Sequence, residues 1–200
     1  GDYGAADEEL AVAMRLDPDS VDVMQEAARL HFMLKRYESA AASWDRYATL
    51  VETDIASGGL LITCYTALGD RANVERVAQR TMARAEKAVA TDADNGSAMA
   101  TIFSCLLCLG EAERAKEWAR RAVLIDPDNL GMRYNLACDF VVAVHDHDMA
   151  LEMLRPVCRN SGHEQIAWIA ADPDMDPLRD DPRFKELVAE AEARLATAQP

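Results

Sequence analysis

The cysteines are the first candidates for chemistry in this chain. Cys105 and Cys108 have the two-residue separation of metal-binding and redox pairs. The pair lies in an apolar stretch with helical character, and no second pair is nearby in sequence to complete the four ligands of a structural zinc site. We therefore expect both residues to pack as small apolar side chains. Cys64 and Cys138 lie in similar stretches, and this usage favours a reducing, cytoplasmic setting.

A second candidate is the segment His145-Asp146-His147-Asp148, which offers four potential ligands for a divalent ion. Adjacent residues of a tight turn rarely direct their side chains at one ion, and no distant partner is evident. We expect a solvated turn in which Asp148 caps the helix that follows. Pro156 should end or kink that helix early, because proline lacks the amide hydrogen that a helix interior uses.

The third candidate is the aspartate- and proline-rich tail, residues 172–182. It lacks the central glycine and the terminal glutamate of a calcium-binding loop. We expect an extended, turn-rich clasp with helix caps at Asp176 and Asp181. The chain also has no glycine-rich phosphate loop, and no Ser-His-Asp set stands out. We therefore expect a protein that is not an enzyme and that carries no metal or cofactor.

Composition narrows the partners further. The chain has 200 residues, about half of them apolar, and a formal net charge of −14. Such a charge argues against nucleic acid and anionic membranes, because both are bound through an excess of Lys and Arg. No apolar run approaches the length of a membrane-spanning helix, and the N-terminus lacks the features of a signal peptide. We expect a cytoplasmic location and a protein or peptide partner.

A repeated tetrapeptide reveals the architecture. Asp17-Pro18-Asp19-Ser20 recurs as Asp126-Pro127-Asp128-Asn129, and an amphipathic run precedes and follows each copy. The copies are three periods of 34 residues plus seven apart, which is the phase of a helix-turn-helix array. The fold prediction is all-α, a right-handed α-solenoid of antiparallel helix pairs with roughly 10–11 helices.

Three departures from this period carry further predictions. Seven extra residues lengthen the helix Arg71–Thr91, and we expect it to protrude by about 10 Å. Gly58-Gly59 lies within a predicted helix and weakens it by about 1 kcal/mol per glycine, so neighbouring helices must hold that segment. Gly1 falls at a turn position, which places the start of the chain at the second helix of a unit. We expect repeats over residues 1–160, and a capping helix and the clasp over residues 161–200, in one domain.

The chain resembles a bacterial tetratricopeptide-repeat (TPR) domain over nearly its whole length. The segments that carry the resemblance are Lys35-Arg36-Tyr37 with Ala40, Leu109-Gly110 with Ala115, and Tyr134 to Cys138. The tail, residues 172–184, resembles the closing segment of TPR regions in large bacterial signalling proteins. The resemblance implies the non-catalytic C-terminal region of such a protein. A class III adenylate or guanylate cyclase is the leading choice of parent, and a winged-helix regulator or a protein kinase is the alternative.

In the family that the chain resembles, the first helix of each pair lines a concave groove. The corresponding positions here are Gln25, Arg29, Phe32, Thr63, Thr66, Ala100, Ser104, Leu107, Tyr134, Cys138 and Val141. These positions lack the Lys and Asn with which some relatives clamp a C-terminal carboxylate, so that mode of recognition is not expected. We predict a groove that accepts an amphipathic helix or an extended apolar segment. The alternative is that the chain's own tail or a neighbouring domain fills it.

Two classes of function remain. The first is a regulatory scaffold that binds a partner protein or its own catalytic domain, with an open groove as its signature. The second is a homo-oligomerisation module, with a self-complementary apolar patch on the helix Arg71–Thr91 or at the N-terminal end. A catalytic or metal-binding role is the least favoured interpretation of the sequence.

Overall fold

The computed structural model describes residues 3–197, and within that range it contains no strand. Helices joined by short turns occupy most of this length, which confirms the all-α prediction. The α-helices are α1 (Tyr3–Leu16), α2 (Val21–Met33), α3 (Tyr37–Leu50), α4 (Ala56–Ala67), α5 (Arg71–Thr91), α6 (Gly96–Cys108), α7 (Ala112–Ile125), α8 (Leu130–Asp139), α9 (His147–Asn160), α10 (His163–Ala171) and α11 (Pro182–Thr197). A π-helical turn, Phe140–Val144, follows α8, and a 3-10 helix, Pro173–Leu178, follows α10.

The chain divides into two compact units, and the boundary between them lies within α5, between Lys87 and Ala88. In the first unit, α2 and α3 form an antiparallel pair around small residues. Ala28 and Ala40 are fully buried and allow close approach of the two helices. Trp44 is 2% exposed and fills the space beside them, with its ring 5.6 Å from that of Phe32 in an edge-to-face arrangement. Small residues at the contact, with an aromatic side chain beside them, let the two helices interlock.

The helix α4 is held by its neighbours, as its glycines require. Asp54 accepts hydrogen bonds from the amides of Ala56 and Ser57 and so caps the helix. A Cβ placed on Gly58 would lie 2.3 Å from Oγ1 of Thr81, on α5, so only glycine fits at this contact. A Cβ placed on Gly59 would have no atom of a neighbouring residue within 4 Å. The two glycines therefore have different roles: Gly58 allows α4 and α5 to pack closely, whereas Gly59 has no such packing role.

Packing against α3 and burial along one side both argue against a freely protruding α5. Arg84 donates a hydrogen bond of 2.6 Å to the carbonyl of Ala48, near the end of α3. A buried stripe runs the length of the helix and comprises Val77, Ala78, Thr81, Ala85 and Val89. Ala85 and Val89 belong to the last turns of α5 and are buried, so the end of the helix does not extend freely into solvent. The predicted protrusion is therefore wrong for the side of α5 that carries the buried stripe.

In the second unit, α6 and α7 follow the predicted pattern closely. Asn95 caps α6 by accepting from the amide of Ala98 at 2.9 Å. Gly110 ends the pair's first helix with φ of +79°, a left-handed conformation that glycine adopts without strain. Ala115, Ala119 and Ala122 are buried on the packing side of α7. Cys105 is buried and Cys108 is half-buried in α6, which confirms the packing role predicted for this pair.

The segment after α8 corrects two predictions. The π-helical turn Phe140–Val144 accommodates the extra length, and the cap of α9 falls on Asp146, which accepts from the amide of Met149 at 3.1 Å. Asp148, the predicted cap, lies inside the first turn and pairs with Arg183 at 2.7 Å. Pro156 does not end α9, which continues to Asn160, and the alternative of a kink at Pro156 stays a prediction. A proline is tolerated where neighbouring packing outweighs the lost hydrogen bond, and Val157 and Cys158, the residues after it, are buried.

The tail is a further helix pair. Residues 173–178 form a 3-10 helix, so the prediction of an extended clasp is wrong. Asp172 caps it by accepting from the amide of Asp174 at 2.9 Å, whereas Asp176, the predicted cap, binds Arg179. Asp181 caps α11 as predicted, accepting from the amide of Arg183 at 2.8 Å. The helices α10 and α11 pack on each other, and α11 packs on α9, as the helices of an additional repeat would.

Candidate protein-binding faces

The first helices of the first unit, α2 and α4, present a polar surface. Gln25 and Arg29 on α2, and Thr63 and Thr66 on α4, are exposed. Arg29 pairs with Glu26 one turn away at 2.8 Å, a surface ion pair of small energetic value. Phe32 is half-buried against Tyr37 and Trp44 and contributes mainly to the core. These four exposed side chains are the ones that a partner of this unit could contact.

Ion pairs compensate two half-buried carboxylates of this unit, Asp7 and Asp45. Asp7 on α1 accepts hydrogen bonds from Arg36 and His31, and both interactions lower its pKa. Asp45 on α3 binds Arg76 at 2.7 Å and Arg80 at 3.0 Å, and it accepts from the Tyr65 hydroxyl. Burial alone would raise the pKa of Asp45, but the hydrogen bonds from Arg76 and Tyr65 outweigh it and the pKa is lowered. Each of these two carboxylates therefore has a cationic neighbour within its own unit.

In the second unit, the first helices α6 and α8 meet through a hydroxyl and a carboxylate. Ser104 on α6 donates a hydrogen bond to Asp139 at the end of α8. Leu107 is half-buried on the same helix as Ser104, while Ala100 is 7% exposed and Val141 is fully buried. Ala100 and Val141 therefore offer little surface to a partner, because their side chains face neighbouring helices. The predicted apolar wall is smaller than the sequence suggested.

The face formed by α8 and α10 holds the remaining predicted residues. The indole nitrogen of Trp168 donates to the Tyr134 hydroxyl at 2.7 Å, and that hydroxyl donates to the carboxylate of Asp172. Tyr134 and Trp168 are 34 residues apart, and the same spacing separates Cys138 from Asp172. The tail therefore contacts the predicted groove residues Tyr134 and Cys138. Trp168 nevertheless remains 59% exposed, so this face presents a large aromatic side chain to solvent.

Two carboxylates lie close to Cys138 on this face, and Asp139 follows it in sequence. The Cys138 sulfur and one carboxylate oxygen each from Asp172 and Asp174 lie within 4.8 Å of one another. Burial raises the pKa of Asp139 to about 6, the Ser104 hydroxyl opposes that rise, and the negative charge of Asp174 adds to it. Burial and the charge of Asp172 also raise the pKa of Asp174. We name Asp139, Asp172 and Asp174 the acidic site.

The acidic site is a poor match for a resident metal ion. Burial raises the pKa of the Cys138 thiol to about 12, so a metal ion would have to displace the thiol proton. The carboxylate of Asp172 already accepts hydrogen bonds from Tyr134 and from the amide of Asp174. A structural zinc site needs four ligands, and no histidine belongs to this group. The sequence patterns did not predict that Cys138, Asp172 and Asp174 lie close together. The signal that could have indicated it is the 34-residue spacing from Cys138 to Asp172.

The histidine-containing turn lies on another part of the second unit. It lines a shallow pocket of about 450 Å³ together with Lys116 and Val144. Three of its side chains have separate partners: His145 contacts the carbonyl of Val141 at 3.2 Å, Asp146 caps α9, and Asp148 pairs with Arg183. Their ligand atoms are thus directed at different neighbours rather than at one ion.

Paired helices with alanines at the contacts, first helices with exposed faces, and a 34-residue register define an α-solenoid of the tetratricopeptide type. Solved structures agree with this assignment. TTC0263, a thermophilic TPR protein of Thermus thermophilus, superposes with a TM-score of 0.53 at 17% identity, over 96% of this chain and 92% of that protein. MamA superposes with a TM-score of 0.51 at 14% identity, over 80% and 88% of the two chains. The MamA RS-1 ArsTM double mutant gives 0.51 at 16% identity, over 80% and 85%.

These similarities are similarities of fold. At such identities the shared property is the stacking of helix pairs, since function lies in the side chains of the exposed faces. Neither a protein-family model nor a curated protein sequence matches the chain. Among residues 3–197, no helix has the length and apolar character needed to cross a membrane.

Proposed function

We propose that this chain is a non-catalytic scaffold that binds a protein or peptide on the exposed faces of its first helices. The observation that carries the proposal is Trp168, which is 59% exposed on the α8–α10 face although it is among the largest apolar side chains. Its hydrogen bond to Tyr134 holds the indole in place, so its surface is presented without the entropic cost of a freely rotating side chain. Exposed, immobilised tryptophans are the typical anchors of protein interfaces.

The form of the partner follows from the two faces. The second unit offers Trp168 with the half-buried Tyr134 and Leu107, and a short helix with one apolar side, or an extended segment, would fit such a surface. The first unit offers Gln25, Arg29, Thr63 and Thr66, which would provide hydrogen bonds and little apolar area. We therefore assign anchoring to the second unit.

A test follows from the three tryptophans of the chain. Protein labelled with 5-fluorotryptophan would be titrated with peptides selected from a random displayed library, and each tryptophan would report separately in ¹⁹F NMR. We expect a shift of the Trp168 signal and loss of binding in Trp168→Ala. The matched control is Trp118→Phe, because Trp118 lies on the second helix α7 and stacks on Arg121. Selected peptides that shift only the Trp118 signal would contradict the proposal.

The finer context is a regulatory region of a bacterial signalling protein, with a class III adenylate or guanylate cyclase as the leading parent. The support is the sequence of residues 172–184, which resembles the closing segment of such regions. A winged-helix regulator or a protein kinase is the alternative parent. Sequencing the reading frame upstream of these residues tests the assignment: a cyclase domain in frame supports it, and a different domain replaces it.

Homo-oligomerisation is a second candidate function, favoured by the apolar residues of α1. Leu16 is 81% exposed and Val12 is 44% exposed on that helix. Light scattering over a concentration series tests this role. A dimer that dissociates in Val12→Ser/Leu16→Ser would identify α1 as the interface, whereas a monomer at all concentrations would exclude it for this chain.

A further inference from the structure

The indole of Trp168 is hydrogen-bonded although its exposure does not require a protein partner. Trp168 is 59% exposed, so its N–H could donate to water, whereas a buried tryptophan has to find an acceptor inside the protein. The N–H instead donates to the Tyr134 hydroxyl at 2.7 Å. Ordering an exposed side chain loses rotamer freedom, and the net gain from one hydrogen bond is modest. The main effect of this hydrogen bond is therefore to orient a surface side chain, which is what a binding anchor needs.

The direction of this hydrogen bond is set by Asp172. A carboxylate only accepts hydrogen bonds, so the Tyr134 hydroxyl donates its single hydrogen to Asp172. The lone pairs of the hydroxyl oxygen then remain for the indole N–H of Trp168. Without the carboxylate, the hydroxyl hydrogen could rotate towards the indole N–H, and two donors would face each other. Asp172 thus decides that Tyr134 is an acceptor for Trp168.

Asp172 is itself held by side-chain and backbone contacts. Its Oδ2 accepts from the Tyr134 hydroxyl, and its Oδ1 accepts from the amide of Asp174 at 2.9 Å. Its own amide donates to the carbonyl of Trp168 at 2.8 Å, and its carbonyl accepts from Arg179 at 3.0 Å. Asp172 is only 7% exposed. It therefore closes a hydrogen-bonded ring that joins the end of α10, the 3-10 helix and Tyr134 on α8, while offering little surface to a partner.

We propose that Asp172 is a positioning residue of the α8–α10 face: acting through Tyr134, it fixes the indole of Trp168 in the orientation that binds a partner. This inference rests on the proposed scaffold function, and it assigns part of the binding site to a residue that the partner does not contact. It also couples the binding face to the tail, because the same carboxylate caps the 3-10 helix. Loss of that helix would release Trp168 as well.

The first readout needs no partner. In ¹⁵N-labelled protein, NMR measures how fast each indole N–H exchanges with water in the wild type, in Asp172→Ser and in Tyr134→Phe. Serine is a good helix cap, so Asp172→Ser keeps a cap for the 3-10 helix but removes the carboxylate that accepts from Tyr134. We expect the exchange at Trp168 to accelerate about threefold to tenfold in both variants, the equivalent of one net hydrogen bond. Exchange at Trp44, which is buried in the first unit, should not change.

The second readout is the affinity for the peptides that shift the Trp168 signal in the ¹⁹F experiment. Each single variant should weaken binding about threefold to tenfold, because the partner must then order the indole itself. The double variant Tyr134→Phe/Asp172→Ser should bind no worse than Tyr134→Phe, since Asp172 acts only through the hydroxyl. A general structural effect of Asp172 would instead add to the loss in Tyr134→Phe.

Asp146→Ser is the matched control, because Asp146 also caps a helix of the second unit and takes part in none of these contacts. It should change the exchange at Trp168 and the affinity by less than about twofold. Asp172→Asn, which keeps one acceptor oxygen for the two donors, replaces Asp172→Ser if that variant does not fold.

Unchanged exchange at Trp168 in the Asp172 variant, or additive losses of affinity in the double variant, would overturn the positioning role and leave the scaffold function standing. Failure to select any peptide that reaches Trp168 would instead contradict the scaffold function. The exchange rates would in that case still decide whether Asp172 orients the indole.

Discussion

Gly58→Ala and Gly59→Ala are chemically identical changes in adjacent residues of α4, and we expect them to have opposite effects on stability. Replacing a helical glycine by alanine gains about 1 kcal/mol from backbone propensity alone. At Gly59 nothing lies within 4 Å of the new methyl group, so that gain should be realised. At Gly58 the methyl group would lie 2.3 Å from Oγ1 and 2.4 Å from Cγ2 of Thr81.

The size of the opposing term follows from how little Thr81 can move. Thr81 is 3% exposed, so its side chain cannot turn out into solvent to make room. Overpacking of this kind costs about 1–3 kcal/mol, because either the side chain leaves its rotamer or the helices separate. After subtraction of the propensity gain of about 1 kcal/mol, Gly58→Ala should destabilise the first unit by up to about 2 kcal/mol. The two variants should therefore differ by about 1–3 kcal/mol.

Urea denaturation, followed by far-ultraviolet circular dichroism, measures the difference in stability between the two variants. The readout is the urea concentration at the midpoint, provided that the dependence of the unfolding free energy on urea is unchanged. A partial rescue is expected in Gly58→Ala/Thr81→Ala, since the Cβ of Thr81 alone still lies 2.9 Å from the new methyl group. Equal stabilisation by both single variants would refute the reasoning, because it would mean that α4 and α5 are not in close contact at Gly58.

Three further predictions concern polar groups. Tyr134→Phe removes the hydroxyl shared by Trp168 and Asp172 and should destabilise the second unit by about 1–3 kcal/mol in urea, since the buried carboxylate of Asp172 loses a donor; an unchanged midpoint would show that the hydroxyl is not structural. Asp45→Asn should destabilise the chain at pH 7, and the difference in stability from the wild type should shrink as the pH falls below 3.8. The reason is that the folded pKa of Asp45 is lowered, so the contribution of its carboxylate is lost on protonation. A difference that does not depend on pH would contradict this. Asp139→Asn should raise the stability of the chain relative to the wild type more at pH 7 than at pH 4. The folded pKa of Asp139 is raised to about 6 from 3.8, so the carboxyl of the wild type reduces stability as the pH rises through that range. The reverse trend in paired urea titrations would exclude a buried, uncompensated carboxylate.

Local signals were sufficient to place most helices. The turn glycines Gly69 and Gly110 adopt φ values of +70° and +79°, a left-handed conformation that ends α4 and α6 here. Caps such as Asn95 and Asn129 act within three residues of themselves, so their roles are readable in the sequence. Alternating small and large side chains with a period of 34 residues then identify which helices pair.

Predictions failed where a local preference competes with packing. Asp146 and Asp148 are both good helix caps, and the π-helical turn before them, which no residue type announces, decides that Asp146 is used. Pro156 is a helix breaker by local rules, yet α9 continues because the residues after it are buried. The proline-rich tail becomes a 3-10 helix because Arg179 binds the carbonyls of Ala170 and Asp172.

The amino-acid sequence by itself determined that the chain is an array of helix pairs and which helices come first in each pair. Both properties depend on the types and spacing of side chains along one helix. Only the tertiary structure decided that Val141 is enclosed, that Trp168 is exposed, and that Cys138 lies close to the carboxylates of Asp172 and Asp174. Exposure and convergence depend on how far neighbouring helices are offset, and that offset is set by all the packed side chains together rather than by any short segment.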